Sequence, residues 1–591
     1  MKWLIAYLSL IASSVLSAVL LCFVFKSLST PIACICLIIG SWVGYVAFKS
    51  SNKLTLGLQK EDLNFWTIIM ASIYLLISLR GFLWLIFKVD DFVKIISPNN
   101  LGDISLHISF IKYFANGVSF WPDSQIFAGG KIRYPIGIDL FNSLLLLAGV
   151  DLIQGLIWVG LLGSIATLIA LFVWGRAFTV AGFIFNGGFA GLEFFSNFIL
   201  IDYQSQLAWK NIFLTMFVTQ RGLLYAIPVG LLLLSSWRER FVSSEKKSSK
   251  QLPSWVEVLL YSSMPIFHIH TFIILSLLLG IWLIFLSMDN RIKILKLLGF
   301  SFLPASLLIE LIAISSNATS SIYIKWGWMQ GKDGFIPFWL YNFGIFWPLV
   351  IPIFIQSCGI PIKSKFFVLN LSDDIKQSRF FILPAVFLFI LFSNVMMAKW
   401  EWDNCKLLIW PYLILLPYIW KNLVSKLSDN FKYIVCSLLF FSGFICILGG
   451  FTSPRGYDLY RHSEIVATQQ IVKELPIENR FAAFPAYNHP LLLCGRKVVL
   501  GYPGWIWTHG YDLENHSTKL KKLMMGEEGW QSIAKELGVN YIFWGFREEN
   551  EYKDSTKPWQ TSSKVITSNK WGTIFNVEKK DSAQFEFHKV K

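Results

Sequence analysis

Apolar runs long enough to cross a bilayer recur along residues 1–451, and they constrain this chain more than any other feature. A hydrocarbon core of about 30 Å needs roughly 17–25 helical residues to span it. In lipid every backbone polar group must be satisfied within the spanning structure, which leaves helices or closed barrels. The runs are continuous rather than alternating, so helices are predicted. Thirteen candidate spans lie near 3–25, 30–48, 65–87, 152–175, 177–197, 222–237, 256–267, 270–287, 298–314, 341–357, 380–398, 406–420 and 433–451. The first run, Leu4 to Phe25, has no small-residue cleavage site before the next and reads as a retained helix.

The pattern changes at Phe451. Residues 452–591 carry 19 Lys/Arg and 16 Asp/Glu, an ordinary soluble density, against 33 and 21 in residues 1–451. The expected fold class is therefore a polytopic α-helical membrane protein of 13 spans with a small C-terminal α/β soluble domain at 452–591. In that tail Glu464–Leu475, Leu513–Met525 and Gly529–Leu537 read as helices. Arg480–Phe484, Lys497–Leu500, Tyr541–Trp544, Lys564–Ile566 and Trp571–Val577 read as strands. The net charge of +15 comes without a basic cluster interleaved with aromatics, so nucleic acid is not an expected partner and membrane orientation accounts for it. A cytosolic N-terminus puts the denser Lys/Arg inside. It leaves the long first loop, 88–151, and the tail domain together on the extracytoplasmic face. The eight cysteines lie mostly in or beside apolar runs and read as small apolar filler, the Cys34-Ile35-Cys36 pair included.

Ionisable residues in or beside a membrane are costly and mark candidate sites. In the first loop, Asp103 opens the segment Gly102-Asp103-Ile104-Ser105-Leu106-His107, four residues ahead of His107 on the same helix face. The segment Ile104–Phe114 is amphipathic and is expected to lie in the membrane interface. Asp103 reads either as a helix-starting carboxylate favoured by the dipole or as a catalytic group. Arg133-Tyr134-Pro135 follows a glycine-containing turn and offers a phosphate site or an interfacial anchor. Arg221 opens a span on the external side, suited to bidentate phosphate contact or to snorkelling. The short runs near 256–267 and 270–287 are split by Pro265 and His268-Ile269-His270, with basic residues on both flanks, Lys246 and Lys247 among them. Broken backbone at membrane depth is tolerated against protein or a wet cavity, so His268 and His270 are expected at such a cavity. Trp328, and the segment Trp400-Glu401-Trp402-Asp403-Asn404-Cys405-Lys406, fall on predicted external loops; an aromatic belt alone leaves Asp403 and Lys406 unexplained. In the tail, the turn-rich Gly501–Gly510 segment with Trp505 and His509 is suited to covering a cavity mouth or stacking a sugar ring, or to packing on its own core. No metal-ligand cluster is evident.

Taken together, Gly102–His107, Arg133-Tyr134-Pro135, Gln220-Arg221-Gly222, Pro265–Phe272, Trp400–Asn404, Gly495-Arg496 and Gly501–Gly510 resemble the GT-C superfamily of polytopic membrane glycosyltransferases, in its bacterial membrane-protein branch. The resemblance implies a polyprenyl-phosphate-linked sugar donor, a glycan, lipid or protein acceptor, a bacterial inner-membrane location and an inverting transfer with an external-loop carboxylate as general base. Carried onto this chain, Asp103 takes the acceptor proton, with Asp91 of the Asp90-Asp91 pair as the competing base and His107 beside it. Arg221, His268, His270 and Lys406 would hold the departing phosphate. Tyr134, Trp328, Asp403, Trp505 and His509 complete the expected substrate contacts. The chain departs from many members at Asp103, which is followed by Ile104 rather than a second carboxylate. A divalent metal cofactor is left open. The rival expectation is a non-catalytic or transport protein handling lipid-linked glycans or anions, although the two halves show no inverted repeat of the kind transporters carry.

Overall fold

The computed structural model describes residues 1–591 except 52–53, 55–63, 244–249, 314–321, 331–333, 361, 364–367, 370–372, 452–454 and 578–591. Lys246 and Lys247 of the basic flank, and the last residues of the expected tail domain, lie outside the described residues. The chain is mostly helical, with apolar helices of membrane-protein character and a smaller share of sheet. Among the described residues, seven helices are long and apolar enough to cross a membrane, or eight if the pair Phe335–Phe343 and Phe346–Ser357, bent by 94°, is one span.

The difference from thirteen has identifiable causes. The runs near 152–175 and 177–197 belong to one helix, Leu152–Ile184, whose path breaks at Gly175 (φ −157°) and Arg176 (φ 61°). Leu223–Trp237, Ser254–Phe267 and Ile269–Phe285 have only 15, 14 and 17 residues, and Gln377–Phe392 is similarly short. Leu223–Trp237 is buried along its whole length. Packed among other helices, it needs no lipid-facing length of its own.

The first loop does not lie flat on a membrane surface. Its helix, Leu101–Ala115, buries every residue from Ile104 to Ile111, together with Tyr113 and Phe114. The expected interfacial amphipathic helix is thus corrected: both of its faces are covered. The reason is the C-terminal region, which sits against it. Gly495, at φ 71°, has its Cα so close to this helix that a Cβ would come within 2.5 Å of the Lys112 carbonyl carbon and the Tyr113 nitrogen. Asn116 Nδ2 donates to the Cys494 carbonyl at 2.9 Å.

The C-terminal region holds a five-stranded sheet in the spatial order Lys564–Asn569, Gly572–Asn576, Tyr541–Gly545, Arg480–Ala482, Lys497–Val498. The first three pair antiparallel and the last two join in parallel. Beyond Lys497–Val498 the first loop supplies the next stretch of backbone. The Val498 N–H donates to the Gln125 carbonyl, the Ala128 N–H to Val499 and the Gly501 N–H to Ile126, all at 2.8–2.9 Å. An edge that would otherwise template aggregation is therefore paired within the chain. A second sheet ties the two regions again, with Phe87–Val89, Phe92–Ile95 and Tyr457–Arg461 side by side. Lys497, 4% exposed, reaches Glu478 at 2.6 Å and Asp123 at 3.8 Å. First loop and tail are thus hydrogen-bonded to each other along both sheets.

Candidate active site

Residues of the first loop, the helical region and the tail line a cavity of about 640 Å³. Its floor and walls bring together Asp103 and Tyr134 from the first loop, His268 and His270 from the broken span, Asp403 and Lys406 from the start of helix Glu401–Asn422, and Trp505 and His509 from the tail. Eight of the twelve residues singled out in the sequence thus share one space. Arg133, Lys210, Gln220, Trp402, Tyr502 and Trp507 line it as well.

Asp103 lies in the first turn of its helix, but Asn100 precedes that helix and the Asp103 carboxylate makes no capping bond. Its Oδ2 instead accepts from Gln220 Nε2 at 3.0 Å, across 117 positions of sequence. Asp103 is half-buried and lines the cavity. Burial raises its carboxyl above the ordinary carboxylate value, and His107 and Lys406 offset this only in part.

Lys406 is the cation nearest in role to a phosphate partner. Its Nζ sits 2.7 Å from Asp403 Oδ1. Lys210 lies over the Trp402 ring at 5.3 Å and Lys406 at 6.0 Å, so one indole ring holds two ammonium groups. Asn404 explains how this corner is built. Its Oδ1 accepts from the backbone N–H groups of Met397 and Ala398 at 2.6 and 3.2 Å, and its Nδ2 donates to the Ala398 and Trp400 carbonyls at 3.1 Å. That folds the preceding loop over the helix start and presents Trp400 and Trp402, with rings 5.1 Å apart, to the cavity.

The tail contributes aromatics and a neutral imidazole. Burial pushes His509 down to about 4, against the pull of Asp403. Its ring lies 5.5 Å from Tyr134, and its backbone carbonyl accepts from Arg133 Nη1 at 3.1 Å. Tyr134 is stacked on Phe110 at 5.3 Å.

Four expected site residues lie outside the cavity lining. His107 is 1% exposed and its Nδ1 is 2.8 and 3.0 Å from the two oxygens of Asp139, tying the first-loop helix to helix Gly137–Leu147. It stands behind Tyr134, with rings 6.0 Å apart. Asp91 belongs to the turn between two strands. Its carboxylate accepts the Ser463 backbone N–H at 2.9 Å and the Ser463 hydroxyl at 2.6 Å, holding the first turn of helix His462–Val472. Arg221 is fully buried within the bundle, where Nη2 donates to the Leu156 carbonyl at 2.8 Å, turned away from the cavity that Gln220 and Gly222 line. Trp328 is 3% exposed and donates from Nε1 to the Phe392 carbonyl at 2.9 Å.

Sequence reasoning passed over Lys210, whose only local signal is a lysine beside Trp209. It noted Gln220 within a motif without assigning it a role, and offered Arg133 as part of a phosphate site or an interfacial anchor. Among the described residues, no three of His, Cys, Asp and Glu converge closely enough to hold a metal ion.

No family model matches the chain, and no curated protein matches it. Among solved structures it is similar to the archaeal oligosaccharyltransferase AglB from Archaeoglobus fulgidus in complex with an inhibitory peptide and a dolichol-phosphate. The identity is 12%, the coverage 82% of this chain and 70% of that one, and the TM-score 0.38. It is also similar to the Archaeoglobus fulgidus oligosaccharyltransferase in the apo form, with 10% identity, 83% and 71% coverage and a TM-score of 0.35. A likeness at this level transfers no residue roles, and the chemistry of the cavity rests on its own side chains.

Proposed function

We propose that this chain is a membrane glycosyltransferase that moves a sugar from a polyprenyl-phosphate-linked donor to an acceptor hydroxyl on the extracytoplasmic face, with Asp103 as general base. The observation that carries the reading is a single cavity holding one carboxylate with no cation bonded to it, Asp103, alongside three cationic side chains, Arg133, Lys210 and Lys406. A general base must be ionised and within hydrogen-bond reach of the proton it takes, and it works best with an affinity near the working pH. Burial moves Asp103 in that direction. In the transfer, the acceptor oxygen bonds to the anomeric carbon while its proton passes to Asp103. The bond from that carbon to the phosphate oxygen breaks, and its electron pair leaves with the phosphate. Lys406 and Lys210 hold the charge that develops there. Ile309, Ile312 and Ala313 at the end of the largely exposed helix Met288–Ala313 supply an apolar wall suited to the lipid chain. Tyr502, Trp505 and Trp507 offer ring faces for a sugar. With the N-terminus cytosolic, cavity and tail lie outside, as the charge distribution suggests.

The test is Asp103→Asn in proteoliposomes supplied with synthetic polyprenyl-phosphate sugars. Product formation should fall about 10²–10⁴-fold, the contribution of a positioned base, with membrane insertion and polyprenyl-phosphate binding retained. Undiminished product from the Asn variant would remove the proposed mechanism.

A further inference from the structure

The broken span carries an imidazole with one nitrogen committed and the other free. His268, in extended backbone (φ −160°, ψ 98°), caps helix Ile269–Phe285: its Nδ1 accepts the Thr271 backbone N–H at 3.2 Å. The same Nδ1 lies 2.8 Å from Thr271 Oγ1. Thr271 Oγ1 also accepts the Trp410 indole N–H at 2.8 Å. An indole nitrogen only donates, so the hydroxyl must turn its own proton elsewhere, and His268 Nδ1 is the acceptor in reach. A ring nitrogen that receives an N–H and an O–H carries no proton itself. The ring proton of the neutral imidazole therefore sits on Nε2. Thr271 and Trp410 are fully buried, which keeps water from competing for these bonds.

Nε2 is where the network stops. It is buried without a partner, on a side chain 6% exposed that lines the cavity. A buried donor left unsatisfied is costly and uncommon, and this one belongs to a side chain that lines the cavity. The backbone behind it is held tightly: a Cβ on Gly222 would lie 2.2 Å from the Phe267 carbonyl oxygen, so this glycine permits the start of helix Leu223–Trp237 to press against the break.

We propose that Thr271 and Trp410 are positioning residues that lock His268 as a neutral Nε2–H donor, and that this N–H takes a phosphate oxygen of the lipid-linked donor. The identity of the ligand rests on the glycosyltransferase reading; the lock does not. A neutral donor suits a cavity that already holds Arg133, Lys210 and Lys406, because it adds direction to the anion's site without a further repelled charge.

The experiment is nitrogen NMR on the full-length chain, ¹⁵N-labelled at histidine and embedded in nanodiscs, with His268→Gln used to assign the His268 signals among the eight histidines. Nδ1 should resonate as an unprotonated nitrogen and Nε2 as a protonated one. A short-chain polyprenyl phosphate should shift Nε2 and leave Nδ1 in place, whereas the corresponding polyprenol should shift neither. Thr271→Val, which keeps the backbone N–H on Nδ1 and removes the hydroxyl, should move the Nδ1 resonance and weaken polyprenyl-phosphate binding about tenfold, the scale of one lost oriented hydrogen bond; Thr271→Ser should restore both. A His268 proton on Nδ1, or a Thr271→Val spectrum identical to the wild type, overturns the lock. If the phosphate binds, read by tryptophan quenching, and Nε2 does not move, the docking inference fails while the glycosyltransferase reading stands. If the phosphate does not bind at all, both fail, and the tautomer still reports on the lock.

Discussion

Two carboxylates in this protein, one fully buried and one half-buried, face opposite fates. In the tail, Glu548 is fully buried, and its oxygens accept the Phe484 N–H at 2.8 Å, the Gly545 N–H at 2.9 Å and a bond to His489 Nε2 at 3.0 Å. Burial alone would raise its carboxyl; His489 and the backbone donors outweigh that and hold it below the ordinary value. In the cavity, Asp103 has one amide donor and no bonded cation, and burial prevails. The first carboxylate is spent on holding its own fold together. The second is left under-satisfied at the edge of a space large enough for a substrate, and that is where chemistry is expected.

The largest effects should separate these roles. Glu548→Ala leaves His489 and two backbone donors buried without their partner and should cost about 3–5 kcal/mol of stability, seen as early melting and protease sensitivity of the tail. Asp103→Asn should not lower melting while removing activity by the factor given above. A loss of folding in the Asp103 variant, or a stable Glu548 variant, would break the contrast. Next comes Lys406→Gln, which removes the cation that Asp403 holds at 2.7 Å beside the Trp402 ring. It should lower transfer about 10²–10³-fold, as the loss of a charge-stabilising donor does elsewhere.

Gly222→Ala tests the geometry that joins the two sides of the cavity. Gln220 holds Asp103, and two residues later Gly222 backs the Phe267–His268 break. A methyl group 2.2 Å from the Phe267 oxygen must displace backbone rather than a flexible side chain, at about 1–3 kcal/mol. Transfer should fall more than melting does, because both the base and the imidazole move. Equal losses of stability and activity would argue that the break is only a fold element.

How much of this was legible in the sequence depends on the distance over which each partner acts. The apolar runs and the α/β character of the tail are local signals, and Arg480–Ala482, Tyr541–Gly545 and Gly572–Asn576 fall where β-type runs were expected. Eight of the twelve expected site residues converge because polar groups beside membrane-depth segments have few other places to go. The partners themselves were not readable. His107 shares a helix face with Asp103, but Asp139, 32 positions on, takes its ring. Arg221 fits a phosphate clamp by residue type, yet it is buried with Nη2 on the Leu156 carbonyl and does not line the cavity. The amphipathic reading of Ile104–Phe114 missed that residues 125–128 and the tail sheet interlock and cover the polar face.

A smaller effect follows from the opposite directions of the two carboxylates. Glu548 is held below its unfolded value of 4.5, so its stabilisation is present above that pH and is lost as pH falls through its folded value. Asp103 is raised above 3.8, so ionising it costs the fold; its penalty is absent in acid and grows as pH rises through its folded value. Asp103→Asn should therefore melt slightly higher than the wild type at neutral pH, with the gap closing in acid. The acid limb of the wild-type transfer rate should lie above the ordinary carboxylate range. A melting gap independent of pH would mean that Asp103 titrates as a free surface carboxylate.

The smallest expected effect concerns the rival base. Asp91 keeps its carboxyl below the ordinary value through bonds from the Ser463 hydroxyl and backbone N–H, and it sits on an exposed turn. A carboxylate held this way is a weak base, and it does not line the cavity where the acceptor would bind. Asp91→Asn keeps an oxygen for the Ser463 donors and should leave the transfer rate unchanged. Its melting shift should be far smaller than that of Glu548→Ala, because water reaches the turn and can replace what is lost. If Asp91→Asn instead abolished transfer while Asp103→Asn did not, the base would lie on the strand turn that joins the first loop to the tail, and the cavity would have to be read as a binding site for the lipid alone.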